Sequence, residues 1–282
     1  MRIIRYILFE LWKIRAKRKL KTLLKEEDPS IRGLAVVLRE TIKRKLDIEE
    51  KLWVKNIEQL RHKLKHNHTE VIVTDFGAGT PKSTRTEQEM LVGMVSSSTI
   101  SKTNKGSKSP FWSLFLHKLI REFKPKTAIE LGTCLGISAS YQAAALTING
   151  SGKLITMEGS VELVEISKEN FTNIGLINIE IVSGRFSDNL LKVLEDNKPI
   201  DYIFIDGHHD EKATVEYFEA ILPYLSDKAI VVFDDISWSK GMKKAWKTII
   251  NSSEIDLVLD LKALGVCLID KNIKGKKIYK IR

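Results

Sequence analysis

The sequence predicts an α/β fold: a doubly wound, mostly parallel sheet behind an N-terminal helical extension. Three observations lead there. From Thr127 onward, short β-branched runs alternate with segments of helical periodicity, the pattern of a parallel sheet covered on both faces. Before that point the chain is basic: residues 1–126 hold 28 Lys and Arg against 14 Asp and Glu, whereas residues 127–282 hold 18 against 22. The third is an ordinary composition, 43% hydrophobic and 29% charged over 282 residues, with no apolar run near the ~18 residues of a membrane span. Two cysteines, Cys134 and Cys267, cannot build a disulfide framework, so a cytoplasmic location is expected. Secreted, transmembrane and zinc-ribbon readings drop out.

The elements follow in order. Ile4, Ile7, Leu8, Leu11 and Ile14 have helical spacing, and Glu10 interrupts any signal-peptide core. A basic amphipathic helix of this kind lies on a membrane surface or packs against its own protein or a second copy. Asp28-Pro29-Ser30 ends it and caps the next helix, expected from 31 to 66 with room for a break. Residues 70–76 read as extended and run into the string DFGAGT. Asp75, Gly77 and Gly79 imitate a nucleotide loop there, but Pro81 blocks a following helix, which makes the string a turn or ordered loop. Residues 96–109, polar and rich in Ser and Lys, predict a flexible loop or lid, and 110–123 a helix. Strands are then expected at 127–131, 153–157, 178–182, 201–205 and 229–233, with helices at 137–146, 161–172, 188–195 and 211–225. A helix near 240–250 and extended runs at 256–261 and 265–270 complete the chain. The division expected is a basic extension, 1–104, and a ligand-binding domain, 105–282.

In such sheets ligands sit outside the carboxyl ends of the strands. The first strand ends in TAIELGTCLGIS, with Glu130, Gly132 and Gly136; paired glycines let the backbone turn tightly and bring a helix N-terminus to a ligand. Cys134 and Ile137 occupy the later glycine positions of a dinucleotide fingerprint, which removes the support for NAD or FAD. Glu158 closes the second strand in LITMEGS, where a carboxylate can accept both hydroxyls of a ribose. Asp206, in YIFIDGHHD, and Asp234 and Asp235, in AIVVFDDIS, emerge at one edge of the sheet. Three carboxylates together need a compensating cation or proton, and oxygen-only ligation suits Mg²⁺ or Mn²⁺. The alternative is that they cap helices, hold a ligand's amino group or face solvent.

The order ELGTCLGIS, ITMEGS, IFIDGHHD, VVFDDI resembles the class I S-adenosylmethionine-dependent methyltransferases, and within them the catechol O-methyltransferase-like branch. The resemblance covers residues 105–270. It implies a Rossmann-like sheet of seven strands whose last strand is antiparallel, with S-adenosylmethionine as cofactor. Under it Glu130, Gly132, Thr133, Gly136 and Ser138 line the methionine end, Glu158 and Gly159 the ribose, and Gly184, Arg185 and Phe186 the adenine. His208 becomes a wall residue, and Asp206 touches both cofactor and metal. Three departures stand out. Asp234-Asp235 replaces the branch's usual Asp-Asn, His209 stands where the branch has a catalytic lysine, and Cys134 replaces a common aromatic.

The reaction implied is methyl transfer to a small hydroxylated acceptor, assisted by Mg²⁺ on Asp206, Asp234 and Asp235 if these bind it. Asp206 and His209 are the expected catalytic residues, His209 being able to take a proton at neutral pH. Trp238 is expected in an apolar substrate wall, and Trp246 in the core. A tRNA-nucleotide hydroxyl methyltransferase using the basic segment is the rival, weakened by the absence of aromatic interleaving. A non-catalytic module keeping the cofactor fold ranks behind it. For residues 1–25 a homodimer interface and a peripheral membrane contact both stay open.

Overall fold

The computed structural model describes residues 2–80 and 83–282, so Pro81 lies outside the described residues. Three helices open the chain: α1 (Arg2–Leu23), α2 (Pro29–Lys43) and α3 (Ile48–Lys65). Asp28 caps α2 by accepting from the Ser30 and Ile31 amides, as the Asp-Pro-Ser string predicts. The break between α2 and α3 falls at Arg44, which adopts the left-handed region at φ 51°. Asp47 and Glu50 then form a reciprocal capping box.

Next come β1 (Glu70–Asp75), β2 (Gly79–Thr80), β3 (Ser83–Thr84), α4 (Glu87–Val92), β4 (Met94–Thr99) and α5 (Ile100–Thr103). Residues 96–109 are therefore not the open loop their composition suggests. β4 pairs antiparallel with β1, from Glu70 opposite Thr99 to Asp75 opposite Met94, and Thr99 caps α5. The Ser-rich strand MVSSST lies largely exposed and has no apolar face, so periodicity cannot betray it.

The remainder alternates: α6 (Pro110–Phe123), β5 (Thr127–Leu131), α7 (Ile137–Ile148), β6 (Lys153–Glu158), α8 (Val161–Asn173), β7 (Ile179–Ser183), α9 (Phe186–Asn197), β8 (Ile200–Ile205), α10 (Glu211–Ile221), β9 (Leu225–Phe233), α11 (Lys240–Ile249), β10 (Leu257–Asp260), β11 (Gly265–Asp270) and β12 (Lys277–Lys280). The sheet runs β12-β10-β11-β9-β8-β5-β6-β7. β11 lies antiparallel to both its neighbours, and the other pairings are parallel. Seven strands with an antiparallel last one are thus present, and β12 adds an eighth at the edge. Its string KIYK is too short and charged to read as a strand, and lysines on an edge discourage further pairing.

The two-residue period of the strands divides the core. Ala128, Tyr202, Phe204 and Val232 face one side with Leu38, Ile57 and Leu116 from the helices. Ile129, Leu131, Ile203 and Phe233 face the other with Phe218 and Trp246. The first side is where the N-terminal helices pack, α2 on α6 and α3 on α7. Trp12 of α1 donates its indole N–H to the Ile281 carbonyl at 2.7 Å, tying the two ends of the chain together. Below α2 and α3, buried Lys118 reaches Glu50 at 2.8 Å and Glu40 at 3.1 Å. The strand order reverses on either side of β5, opening a crevice between the ends of β5 and β8.

Candidate functional site

That crevice is the floor of a cavity of about 560 Å³, room enough for a nucleoside-sized ligand and a small second molecule. The backbone approach at its centre depends on Gly132. With φ 109°, it lies so near the Asp206 carbonyl that a Cβ there would meet it at 2.4 Å. Gly132 and Thr133 donate their amides to the Met157 carbonyl at 3.0 and 3.1 Å, holding the turn after β5 against the end of β6. Gly136, φ 81°, then starts α7, where a Cβ would strike Phe171 at 2.4 Å.

Glu158 sits at the end of β6 and lines the cavity. Its Oε2 accepts from the Cys134 amide at 2.8 Å and its Oε1 from the Ser160 amide at 2.9 Å, which fixes the carboxylate while leaving acceptor capacity toward the cavity. Burial pushes its pKa up, against the hydrogen bonds from Ser160 and Cys134. Gly159 carries no Cβ because the Phe76 ring would be 2.6 Å from one. Arg185 and Phe186 line the far wall. Arg185 is committed to Asp188 at 2.8 Å and to the Leu91 carbonyl at 2.7 Å, and Phe186 meets Tyr217 edge to face at 5.9 Å. Gly184 closes β7 with φ 121° and donates to the Glu158 carbonyl.

Glu130 stands apart from the rest. It is fully buried, with Oε1 taken by Gln142 at 2.7 Å and Oε2 by Thr156 at 2.7 Å. Burial raises its carboxyl to about 7. It braces the turn from behind, whereas Thr133 and Ser138 reach the cavity surface.

Asp206, His208 and His209 form the wall after β8. His208 Nδ1 is 2.8 Å from the Tyr217 hydroxyl, and burial lowers its pKa. His209 Nε2 lies 3.9 Å from Asp206 Oδ1, with its ring 5.6 Å from that of Trp238. Both histidines adopt positive φ, 69° and 50°, a conformation that costs non-glycine residues and concentrates at functional sites. Trp246 is core, donating to Asp260 at 3.1 Å.

Where the metal centre is expected, an ammonium lies. The Lys108 ammonium lies between the first two aspartates, 3.1 Å from Asp206 Oδ2 and paired with Asp234 Oδ2. Among the described residues no group of three His, Cys, Asp or Glu is placed to hold a metal ion. Asp235 adopts a positive φ of 52° beside Asp234, His209 and Lys108. The three carboxylates do need a positive charge, and the chain supplies it from a segment 98 residues before Asp206. As placed, Asp206 and Asp234 share an ammonium where the sequence leads one to expect a divalent cation.

Lys108 is the residue that sequence reasoning missed, and nothing in its surroundings, NKGSKSP, marks it. The DFGAGT string is the second omission. Only Phe76 to Ala78 form the turn expected there, between β1 and β2, and the string folds over the cavity. The Ala78 amide donates to the His208 carbonyl at 2.7 Å, and Asp75 through Gly79 line the opening.

Comparison with known proteins agrees with this geometry. Residues 129–236 match a family model described as a methyltransferase domain. A catechol O-methyltransferase of Niastella koreensis is 33% identical over 132 residues, 46% of this chain and 58% of that protein. A probable cobalt-precorrin-6B C(15)-methyltransferase (decarboxylating) of Sulfolobus acidocaldarius is 29% identical over 119 residues, 41% of this chain and 56% of its own. The chain thus spans a little over half the length of these curated relatives. A methyltransferase from Podospora anserina, solved with S-adenosylhomocysteine bound, shares the fold at a TM-score of 0.51 and 18% identity, over 58% of this chain and 80% of that one.

Proposed function

We propose that the chain is a class I S-adenosylmethionine-dependent methyltransferase of the catechol O-methyltransferase-like type, a reading supported by the methyltransferase-domain match at residues 129–236 and the partial catechol O-methyltransferase relative, and that it methylates an oxygen of a small hydroxylated acceptor. The observation that carries this reading is the meeting, at one cavity, of the Glu158 cradle and the Asp206–His209 pair. The residues fit the cofactor. Gly132 and Gly159 let the backbone pack against the Asp206 carbonyl and the Phe76 ring, which brings Thr133 and Glu158 to the cavity, and Glu158 offers a fixed carboxylate for the ribose. Thr133, Ser138, Arg185, Phe186 and His208 wall the remainder, while Glu130, Gly136 and Gly184 shape the backbone behind them. The bound cofactor supplies an electrophilic methyl on a sulfonium. The protein's part is alignment, since nucleophile, methyl and sulfur must lie in line. His209 accepts the acceptor's proton, with its ring packed 5.6 Å from Trp238, which lies behind it and not in the cavity lining.

Calorimetry with S-adenosylhomocysteine and NAD, followed by transfer of labelled methyl to a panel of phenols, catechols and tRNA, tests the reading. S-adenosylhomocysteine is expected to bind and NAD not. Glu158→Gln is expected to weaken that binding by roughly ten- to a hundredfold, the loss of a charged hydrogen-bonding partner. His209→Gln is expected to cut transfer by about 10²-fold or more without that loss. Tight NAD binding without S-adenosylhomocysteine binding sinks the assignment, and transfer to tRNA alone moves it to the nucleic-acid reading.

We propose that residues 1–104 are an extension bracing a methyltransferase domain of residues 105–282, and that its first helix rests on an anionic lipid surface. Trp12, Ala16, Leu20 and Leu23 of α1 are buried, while Ile7, Leu11 and Ile14 on the opposite side stay about half exposed. The exposed side also carries Arg15, Arg18 and Lys21, which favours negative headgroups over a second copy bearing the same charges. No described helix is long and apolar enough to cross a membrane. The two unpaired cysteines support a cytoplasmic location.

A further inference from the structure

We propose that Lys108 is the working cation of this site: its ammonium takes the place of a divalent ion between Asp206 and Asp234, so the transfer needs no metal. The acceptor side of the proposal rests on the methyltransferase reading; the exclusion of a metal rests on geometry alone.

An ammonium has three N–H donors and no acceptor. Those of Lys108 reach Asp206, at 3.1 Å to Oδ2 and 3.2 Å to Oδ1, and Asp234. Lys108 also lines the same cavity as His209, so its ammonium can share a donor with a bound acceptor as well as with the two carboxylates. The lysine is not a loose surface chain swung inward. Its side chain is 11% exposed, its Nζ lies 5.9 Å from the centroid of the Phe204 ring, and its backbone is clamped. Arg61 Nη1 and Ser113 Oγ both donate to the Lys108 carbonyl, at 2.7 and 3.2 Å. Mg²⁺ demands near-octahedral oxygen ligation at about 2.0–2.1 Å. It can enter here only by expelling the ammonium, which would leave one buried charge without a partner. Lysine and metal are therefore mutually exclusive occupants.

In this proposal a Lys108 N–H is shared with the acceptor oxygen. As the C–O bond forms and the S–C bond breaks, the electron pair leaves with sulfur and the hydroxyl proton passes to His209. The Lys108 hydrogen bond offsets the negative charge that builds on oxygen meanwhile. Charge balance holds without another ion, because the reaction consumes the sulfonium charge and releases one proton.

The test is Mn²⁺ binding, followed by electron paramagnetic resonance on the full chain, with and without S-adenosylhomocysteine. Wild type and Lys108→Arg are expected to leave Mn²⁺ free. Lys108→Ala, which vacates the carboxylates, is expected to bind it tighter by roughly tenfold or more. Circular dichroism confirms folding, and the arginine variant keeps the comparison decisive if the alanine variant does not fold: Mn²⁺ binding to the wild type as tight as to an ordinary carboxylate site overturns the proposal by itself. An alanine variant that gains no Mn²⁺ affinity also overturns it. On any phenol of the panel that reacts, a wild-type rate unmoved by chelator supports the proposal and one abolished by chelator overturns it. Failure of S-adenosylhomocysteine to bind would strike the methyltransferase reading instead, with the Mn²⁺ comparison still deciding the role of Lys108.

Discussion

Arg61 of α3 donates to the backbone carbonyl of Lys108 at 2.7 Å, so one of the N-terminal helices fixes a residue that lines the cavity. The clamp continues. Arg61 pairs with Glu58 at 3.0 Å, and Glu58 accepts from the Tyr141 hydroxyl on α7 at 2.9 Å. The helix that follows the cofactor turn, the extension and the lysine thus share one hydrogen-bonded chain. Arg61→Ala is expected to slow methyl transfer more than it weakens S-adenosylhomocysteine binding, because Lys108 loses its anchor while the Glu158 cradle stays intact. It should also lower unfolding stability by about 1–3 kcal/mol, since the Glu58 carboxylate and the Lys108 carbonyl lose a charged donor. Urea unfolding and calorimetry measure the two effects separately. Equal losses of turnover and cofactor affinity would show that Arg61 only holds the fold.

Much of this fold is written in local pattern. The strand at 127–131 and the helix at 110–123 match the observed Thr127–Leu131 and Pro110–Phe123, because a buried strand and an amphipathic helix announce themselves by period. The position of the cavity was legible too, since Gly132, Glu158 and Asp206 each lie at a strand end, topology gathers strand ends, and all three line it. What stayed hidden depends on long-range pairing. MVSSST becomes a strand only because β1 offers it a partner, and Lys108 becomes a site residue only because Arg61 and Ser113 hold its carbonyl. Counting carboxylates correctly signalled that a cation was required. It could not say that the cation would be an ammonium from another segment.

The buried cluster at Glu50 sets an acid limit to stability. Glu50 is 2% exposed. Burial alone would raise its pKa, but His117 and Lys118 bring it from 4.5 down to about 2. A carboxyl whose folded pKa is depressed stabilises the protein fully above its unfolded pKa, and the contribution fades as pH falls toward the folded value. Stability is therefore expected to drop between about pH 5 and pH 2, by up to about 3 kcal/mol from this group. Glu50→Gln should lower stability at neutral pH and flatten that slope, because Lys118 then keeps only Glu40 at 3.1 Å. Urea midpoints collected across this range measure the difference. An unchanged slope in the variant would assign the acid sensitivity to other carboxylates.

α1 leaves one of its faces uncovered. A helix normally buries its apolar stripe against its own protein, and α1 does so with Trp12, Ala16 and Leu20. It nevertheless keeps Ile7, Leu11 and Ile14 open on the other side, with Arg15, Arg18 and Lys21 exposed nearby. Apolar side chains inserted at the acyl boundary and cations at anionic headgroups reinforce one another, each cation adding about 1 kcal/mol near such a surface. The protein is expected to sediment with vesicles containing phosphatidylserine and not with purely zwitterionic ones, and salt should weaken the association. Leu11→Glu should abolish it while leaving the melting temperature and S-adenosylhomocysteine affinity in place, because Leu11 is exposed and distant in the chain from the cavity residues. If instead no vesicle binds and Leu11→Glu converts a dimer to a monomer, the stripe belongs to a second copy of the chain. Salt-sensitive capture of tRNA, lost on charge reversal of Arg15 and Arg18, would turn the same basic face toward nucleic acid.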